Sequence, residues 1–259
     1  MNRELWPLLF MVLLAAGAVG CTSGETDGTA ETGARLTTSG AGQLLSAGTS
    51  LFEPGNPLAA LSQAAPNGPP LDEITVDMLG VNFGTEEAPI RMVEFYDYGC
   101  GYCKIFHEET RRPLHEEYVD PGSVFWKSIP FITGNWAPSM PVSLAAECAR
   151  DQGQSYFVSI SDIIFERQGD WKSASDPEAL AEVFAEEAGL DMARYRSCVE
   201  DDEFLWRVQA QTNLAGELGI RGTPSFIIVG VGPVNGALPL ETFRQVFDTI
   251  LSEAAAGRF

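Results

Sequence analysis

The sequence predicts an α/β fold in which a block of helices interrupts a strand-and-helix core. Three observations predict it. An almost continuous apolar run, Ile90–Tyr96, leads into a Cys-x-x-Cys pair and a helical stretch. From Pro138 to Leu218 the apolar residues recur at helical spacing with no clear strand. A second apolar run, Phe226–Val229, follows Gly222-Thr223-Pro224 and precedes a turn-rich segment and an apolar helical stripe. Of the 259 residues, 45% are hydrophobic and 20% charged, which suits a globular chain with a sizeable core. The net charge of −20 argues against binding nucleic acid or anionic lipid, because phosphate needs clustered Lys and Arg. Two histidines, His107 and His115, are too few for a His-rich metal centre. No internal repeat is visible.

The elements follow in order. Residues 1–20 have the form of a signal peptide: Arg3, an apolar stretch from Leu8 to Val19, then small residues. That stretch falls short of the roughly 20 residues a membrane span needs. Ala18-Val19-Gly20-Cys21 resembles a lipoprotein signal, with Cys21 the lipidated residue; an ordinary signal peptide is the alternative. Either way the chain is expected to be exported to the cell envelope, where disulfides persist. Residues 21–70 are rich in Gly, Ser, Thr, Ala and Pro and read as a flexible tether. As a coil it would span about 35–40 Å. The folded part, 71–259, is expected from Leu71 onward.

Ile90–Tyr96 reads as a strand buried on both faces. After Cys103 a helix is expected through Tyr118, kinked or ended early by Pro113. Ser123–Pro130 reads as a second strand. Helices are expected at 139–152, 154–167, 177–188, 191–200 and 203–218. Phe226–Val229 is a third strand, and Gly230–Pro239, with Asn235-Gly236, reads as a hairpin turn into a short fourth. Leu240, Phe243, Val246, Phe247, Ile250 and Leu251 form the stripe of a last helix. Without the helical insertion (about 138–218), the remaining order is that of a thioredoxin core.

The chemistry centres on Cys100 and Cys103. A Cys-x-x-Cys between strand and helix places the first sulfur at a helix N-terminus. Unpaired N–H groups and the helix dipole favour a thiolate there. Cys100 is expected to be an exposed, low-pKa nucleophile, and Cys103, one turn on, the resolving thiol. Half a zinc knuckle is the competing reading, but a second pair is missing. A copper(I) site on the two thiolates, with His107 as a third ligand, is another. His107 and His115 are otherwise expected on the helix surface, as are Asp97, Tyr102 and Lys104.

The run Phe95-Tyr96-Asp97-Tyr98-Gly99-Cys100-Gly101-Tyr102-Cys103, taken with Gly222-Thr223-Pro224-Ser225-Phe226, resembles the DsbA-like thioredoxin-fold family of envelope thiol-disulfide oxidoreductases. The similarity covers about residues 72–255. It implies a cis Thr223–Pro224 bond facing the Cys100 sulfur, with the adjoining backbone pairing to client peptide. It also implies a proton-handling role for Glu94, an acid in an otherwise apolar strand. A half-exposed strand end is the other reading of Glu94. Gly101 stands where the best-known members carry proline, so the direction of electron flow stays open. Cys148 and Cys198 lie on helices of the insertion. A structural disulfide between them is favoured over two buried free thiols, and some relatives carry a second pair in comparable helices.

The expected function is therefore disulfide exchange with exported proteins by a monomer without cofactors. A membrane redox partner would regenerate it, and a lipid anchor would hold it at the membrane. The alternatives are a non-catalytic module that binds copper or an unfolded client, and an envelope lipoprotein with a vestigial motif.

Overall fold

β2 (Ile90–Tyr96) is central because its alternation serves two cores at once. Ile90 and Met92 enter one apolar cluster, and Val93 and Phe95 the opposite one. The computed structural model describes Leu51, residues 67–136 and residues 138–257. The signal segment, Cys21 and most of the expected tether lie outside the described residues. The domain holds the chain upstream of Leu71. Leu51 is buried in the Val93 cluster, and the Asn67 amide donates to Asp201 O at 2.9 Å.

β2 runs parallel to β3 (Val124–Pro130) and antiparallel to β4 (Ser225–Ile228). β5 (Gly232–Asn235) extends the sheet beyond β4. A strand the sequence did not signal, β1 (Val81–Phe83), pairs antiparallel with β3 at the other edge. The order is β1-β3-β2-β4-β5. Three residues are too few to display the period-two alternation that marks a strand.

The helix after the cysteines does not end at Pro113. α1 (Gly101–Phe106) continues through a π-helical turn, His107–Arg111, into α2 (Arg112–Leu114) and a second π turn, His115–Val119. Proline lacks an N–H and crowds the preceding turn, and wider turns on either side accommodate it. The hairpin turn falls at the start of the expected Gly230–Pro239 segment. The chain reverses at Val229–Val231, where Gly230 holds φ 84°. Asn235-Gly236 ends β5 and ties it to the proline loop: Gly236 N donates to Pro224 O at 2.8 Å, and Ser225 Oγ to Asn235 Oδ1 at 2.9 Å.

The insertion contains α3 (Ser139–Gln152), α4 (Gln154–Glu166), α5 (Gln168–Ser173), α6 (Pro177–Glu187) and α7 (Met192–Glu200). Sequence periodicity misses α5, which is only six residues long. α8 (Leu205–Glu217), expected to belong to this block, instead covers the sheet. Its Trp206, Ala210 and Leu214 pack with Val93, Phe95 and Ile227. α9 (Leu240–Ala255) covers the opposite face through Phe243, Phe247 and Ile250. Cys148 and Cys198 are disulfide-bonded, with Cα atoms 6.0 Å apart at a sequence separation of 50, joining α3 to α7.

Candidate active site

The end of β2 delivers the chain to a tightly held loop. Asp97 was expected at the surface but is buried. Its Oδ1 accepts from Gly99 N at 2.8 Å and Ser139 Oγ at 3.0 Å, and its Oδ2 from Thr133 N at 2.9 Å and Thr133 Oγ1 at 2.8 Å. Satisfying that many donors with one carboxylate fixes the loop and offsets the cost of burying it. Cys100 N then donates to Asp97 O at 3.0 Å, and Cys100 becomes the residue that caps α1.

Both cysteines are free thiols. Cys100 is only 5% exposed, so the expected exposed nucleophile sits in the floor of a cleft instead. The cleft encloses about 590 Å³ and is walled by Tyr102, Ile105, Trp136 and Thr223. The Cys100 thiol donates to Thr223 O at 3.3 Å, and the Thr223–Pro224 bond is cis. The proline loop therefore faces the sulfur. β4 carries it there by pairing with β2 in the register Phe95 to Ser225.

The two sulfurs differ in acidity because their surroundings differ. The Cys103 thiol donates to the Cys100 sulfur, and this is the largest influence pulling Cys100 down to about 6. Burial opposes it, while the Thr223 side chain and the N–H groups of Cys103 and Tyr102 assist. Cys103 is pushed far upward, chiefly by burial, then by its hydrogen bond to Cys100 and the charge there. One thiol ionises near neutrality and the other holds its proton.

Glu94 is 3% exposed, which removes the reading of a half-exposed strand end. It shares a β2 face with Met92 and Tyr96. Its Oε2 accepts from Ser128 Oγ at 2.8 Å and Trp126 Nε1 at 3.1 Å. Burial raises its pKa, while the Arg111 charge and these bonds hold the rise back. His107, expected at the helix surface, is half-buried against Phe165, with Nε2 2.7 Å from Asp162 Oδ1. His115, expected there too, is wedged between the Phe83 and Trp126 rings with its Nε2 unpartnered. Burial, aided by the Arg111 and His107 charges, pulls it down to about 3.

Lys104 reaches α4, donating to Phe165 O at 2.9 Å and Glu166 O at 2.7 Å. Tyr102, 67% exposed, matches its expected surface place. Sequence reasoning missed Trp136 and Thr133, which lie in the loop after β3 and line the cleft. That loop has no periodic pattern, and only the fold brings it to Cys100. Cys148 and Cys198 are bonded within the insertion and take no part in the cleft. Among the described residues, no three His, Cys, Asp or Glu side chains converge as a metal site would require.

A family model described as Thioredoxin matches residues 78–249. A Rickettsia bellii protein named, provisionally, a protein-disulfide oxidoreductase is 25% identical over 161 residues, covering 62% of this chain and 61% of that protein. Disulfide bond formation protein D of Bacillus subtilis is 22% identical over 146 residues, covering 56% of this chain and 65% of that one. The chain thus spans less than two thirds of these curated relatives. Among solved structures, oxidised BdbD from Bacillus subtilis superposes with a TM-score of 0.61 at 18% identity, over 69% of this chain and 95% of that one. Wolbachia pipientis alpha-DsbA1 does so at 0.61 and 21%, over 68% and 92%. These likenesses establish the fold.

Proposed function

The chain belongs to the thioredoxin family, and from that premise we propose that it is a thiol-disulfide oxidoreductase that passes disulfides to exported proteins. One observation carries the reading: a low-pKa Cys100 sulfur on the floor of a cleft, against the cis-proline loop and one turn from a thiol that keeps its proton.

In the oxidised enzyme Cys100 and Cys103 are joined. A client thiolate attacks the Cys100 sulfur, the S–S bond breaks, and Cys103 leaves and takes up a proton. A second client thiolate then attacks the client sulfur of the mixed disulfide and releases Cys100 as its thiolate. The client loses two electrons and the enzyme dithiol gains them. A stabilised Cys100 thiolate is a good leaving group and favours the reduced enzyme, which supports the oxidase direction. Thr223 and Pro224 shape the cleft, and the backbone beside them offers the edge against which extended client peptide would lie. Glu94, behind α1, serves proton uptake and release at Cys103. Regeneration falls to a membrane redox partner. Export, a lipid on Cys21, a membrane-held tether and a monomeric state complete the proposal, on the strength of residues 1–70.

The test is refolding of reduced ribonuclease by the oxidised chain, with the potential measured against glutathione. Oxidation should be lost in Cys100→Ser, and Cys103→Ser, given a client that already carries a disulfide, should accumulate the mixed disulfide formed when Cys100 attacks it. The potential should lie above roughly −200 mV. A value near about −270 mV would turn the reading to a reductase. Oxidation that survives Cys100→Ser would end it. Client or copper binding without turnover in the parent chain would favour the non-catalytic module.

A further inference from the structure

Three successive carbonyls around the nucleophile are held by one short helix of the insertion. The Gln168 side-chain amide donates to Tyr98 O at 2.7 Å and to Cys100 O at 3.0 Å. Lys172, one turn later on α5, donates to Gly99 O at 2.7 Å. Peptide units are planar, so fixing each carbonyl fixes the plane it belongs to. The planes 98–99, 99–100 and 100–101 are therefore all set from α5. They determine the backbone angles of Gly99 and Cys100, and with them the direction of the Cys100 Cβ–Sγ bond. The last plane also contains the first N–H of α1.

The same lysine shapes the cleft. Its ammonium lies 4.8 Å from the centre of the Trp136 ring, which forms part of the cleft wall. Trp136 in turn presses on Gly99. A Cβ at that position would meet Trp136 Cβ and Ser139 Oγ at 2.8 Å, so only glycine fits between them. Gln168 is buried and Lys172 half-buried. Neither touches the sulfur, and neither was singled out from the sequence.

We propose that Gln168 and Lys172 are positioning residues through which the helical insertion sets the geometry, and hence the ionisation, of the Cys100 thiol. The carbonyl bonds aim the loop so that the N–H groups of Tyr102 and Cys103 converge on the sulfur. The lysine brings its positive charge to the same loop through its bond to Gly99 O. The other groups that face the sulfur are Cys103 and Thr223. This inference rests on the proposed thiol exchange, yet it is read on the thiol itself.

The experiment is thiolate absorbance against pH on the reduced full chain, for the parent, Lys172→Met, Lys172→Arg and Gln168→Leu, each checked by thermal unfolding. The fraction of Cys100 ionised at pH 6 should fall about three- to fivefold in Lys172→Met. Iodoacetamide should alkylate it correspondingly more slowly at that pH. Lys172→Arg, which keeps the charge and a donor, should restore most of the loss. If Gln168→Leu fails to fold, the two lysine variants carry the test. Ionisation unchanged in Lys172→Met, even with a lowered unfolding temperature, would mean a purely structural role and would overturn the proposal. Parent Cys100 that ionises as expected but oxidises no client would instead overturn the proposed function and leave the positioning role standing.

Discussion

A Cys-x-x-Cys is chemically useful when its sulfurs are unequal, and here the inequality comes from place. Cys100 caps a helix and receives hydrogen bonds, whereas Cys103 is buried beneath it. Glu94 adds a third asymmetric group. Burial raises its pKa, so it carries no penalty below the ordinary carboxylate range and a growing one as pH rises through its raised value. Glu94→Gln keeps an acceptor for Ser128 and Trp126 but removes the charge. Its unfolding temperature should therefore gain on the parent more at pH 8 than at pH 4, while formation of the mixed disulfide, the step in which Cys103 leaves and takes up a proton, slows. Thermal melts at the two pH values with quenched-flow trapping would check both, and an equal gain at both would contradict the buried charge. At this scale the cysteines, Thr223 and Pro224 were legible, because local sequence placed them at element ends. Asp97 and His115 were misread as surface because their burial is imposed by Thr133, Ser139, Phe83 and Trp126, none of them a near neighbour in sequence.

The long elements announced themselves through periodicity, and the short ones did not. β2, β3 and the helices of more than eight residues fall within one or two residues of expectation. β1, three residues, and α5, six, are held by partners rather than by their own pattern: β1 by β3, and α5 by the loop it grips. The insertion also has its own covalent staple. Replacing Cys148 and Cys198 together by Ala should cost about 4 kcal/mol, the chain-entropy value for a 50-residue closure. Urea unfolding would measure it. Ribonuclease oxidation should persist in the folded variant, because the staple lies outside the cleft. A loss below about 1 kcal/mol would mean that packing of α3 on α7 already does its work.

For the whole molecule, the difference between the two sulfurs determines how oxidising power varies with pH. Below about pH 6 both thiols of the reduced protein hold protons, so two protons accompany two electrons. Above it Cys100 stays ionised and only one does. The reduction potential should fall by about 59 mV per pH unit below that point and about 30 mV above it. Glutathione equilibria from pH 5 to pH 8 would check this, and a single slope throughout would contradict it. The sequence by itself determined the α/β order, the sulfur pair, the proline loop and the helical block. Each is written in neighbouring residues or in a period of two or 3.6. Only the tertiary structure decided that Cys100 lies in a cleft floor, that Cys148 meets Cys198, and that α8 belongs to the sheet and α5 to the nucleophile. Those are relations between segments far apart in the chain, 123 residues for Cys100 and Thr223 and 50 for Cys148 and Cys198, and burial and hydrogen bonding at such distances come from packing, which leaves no periodic mark on the chain.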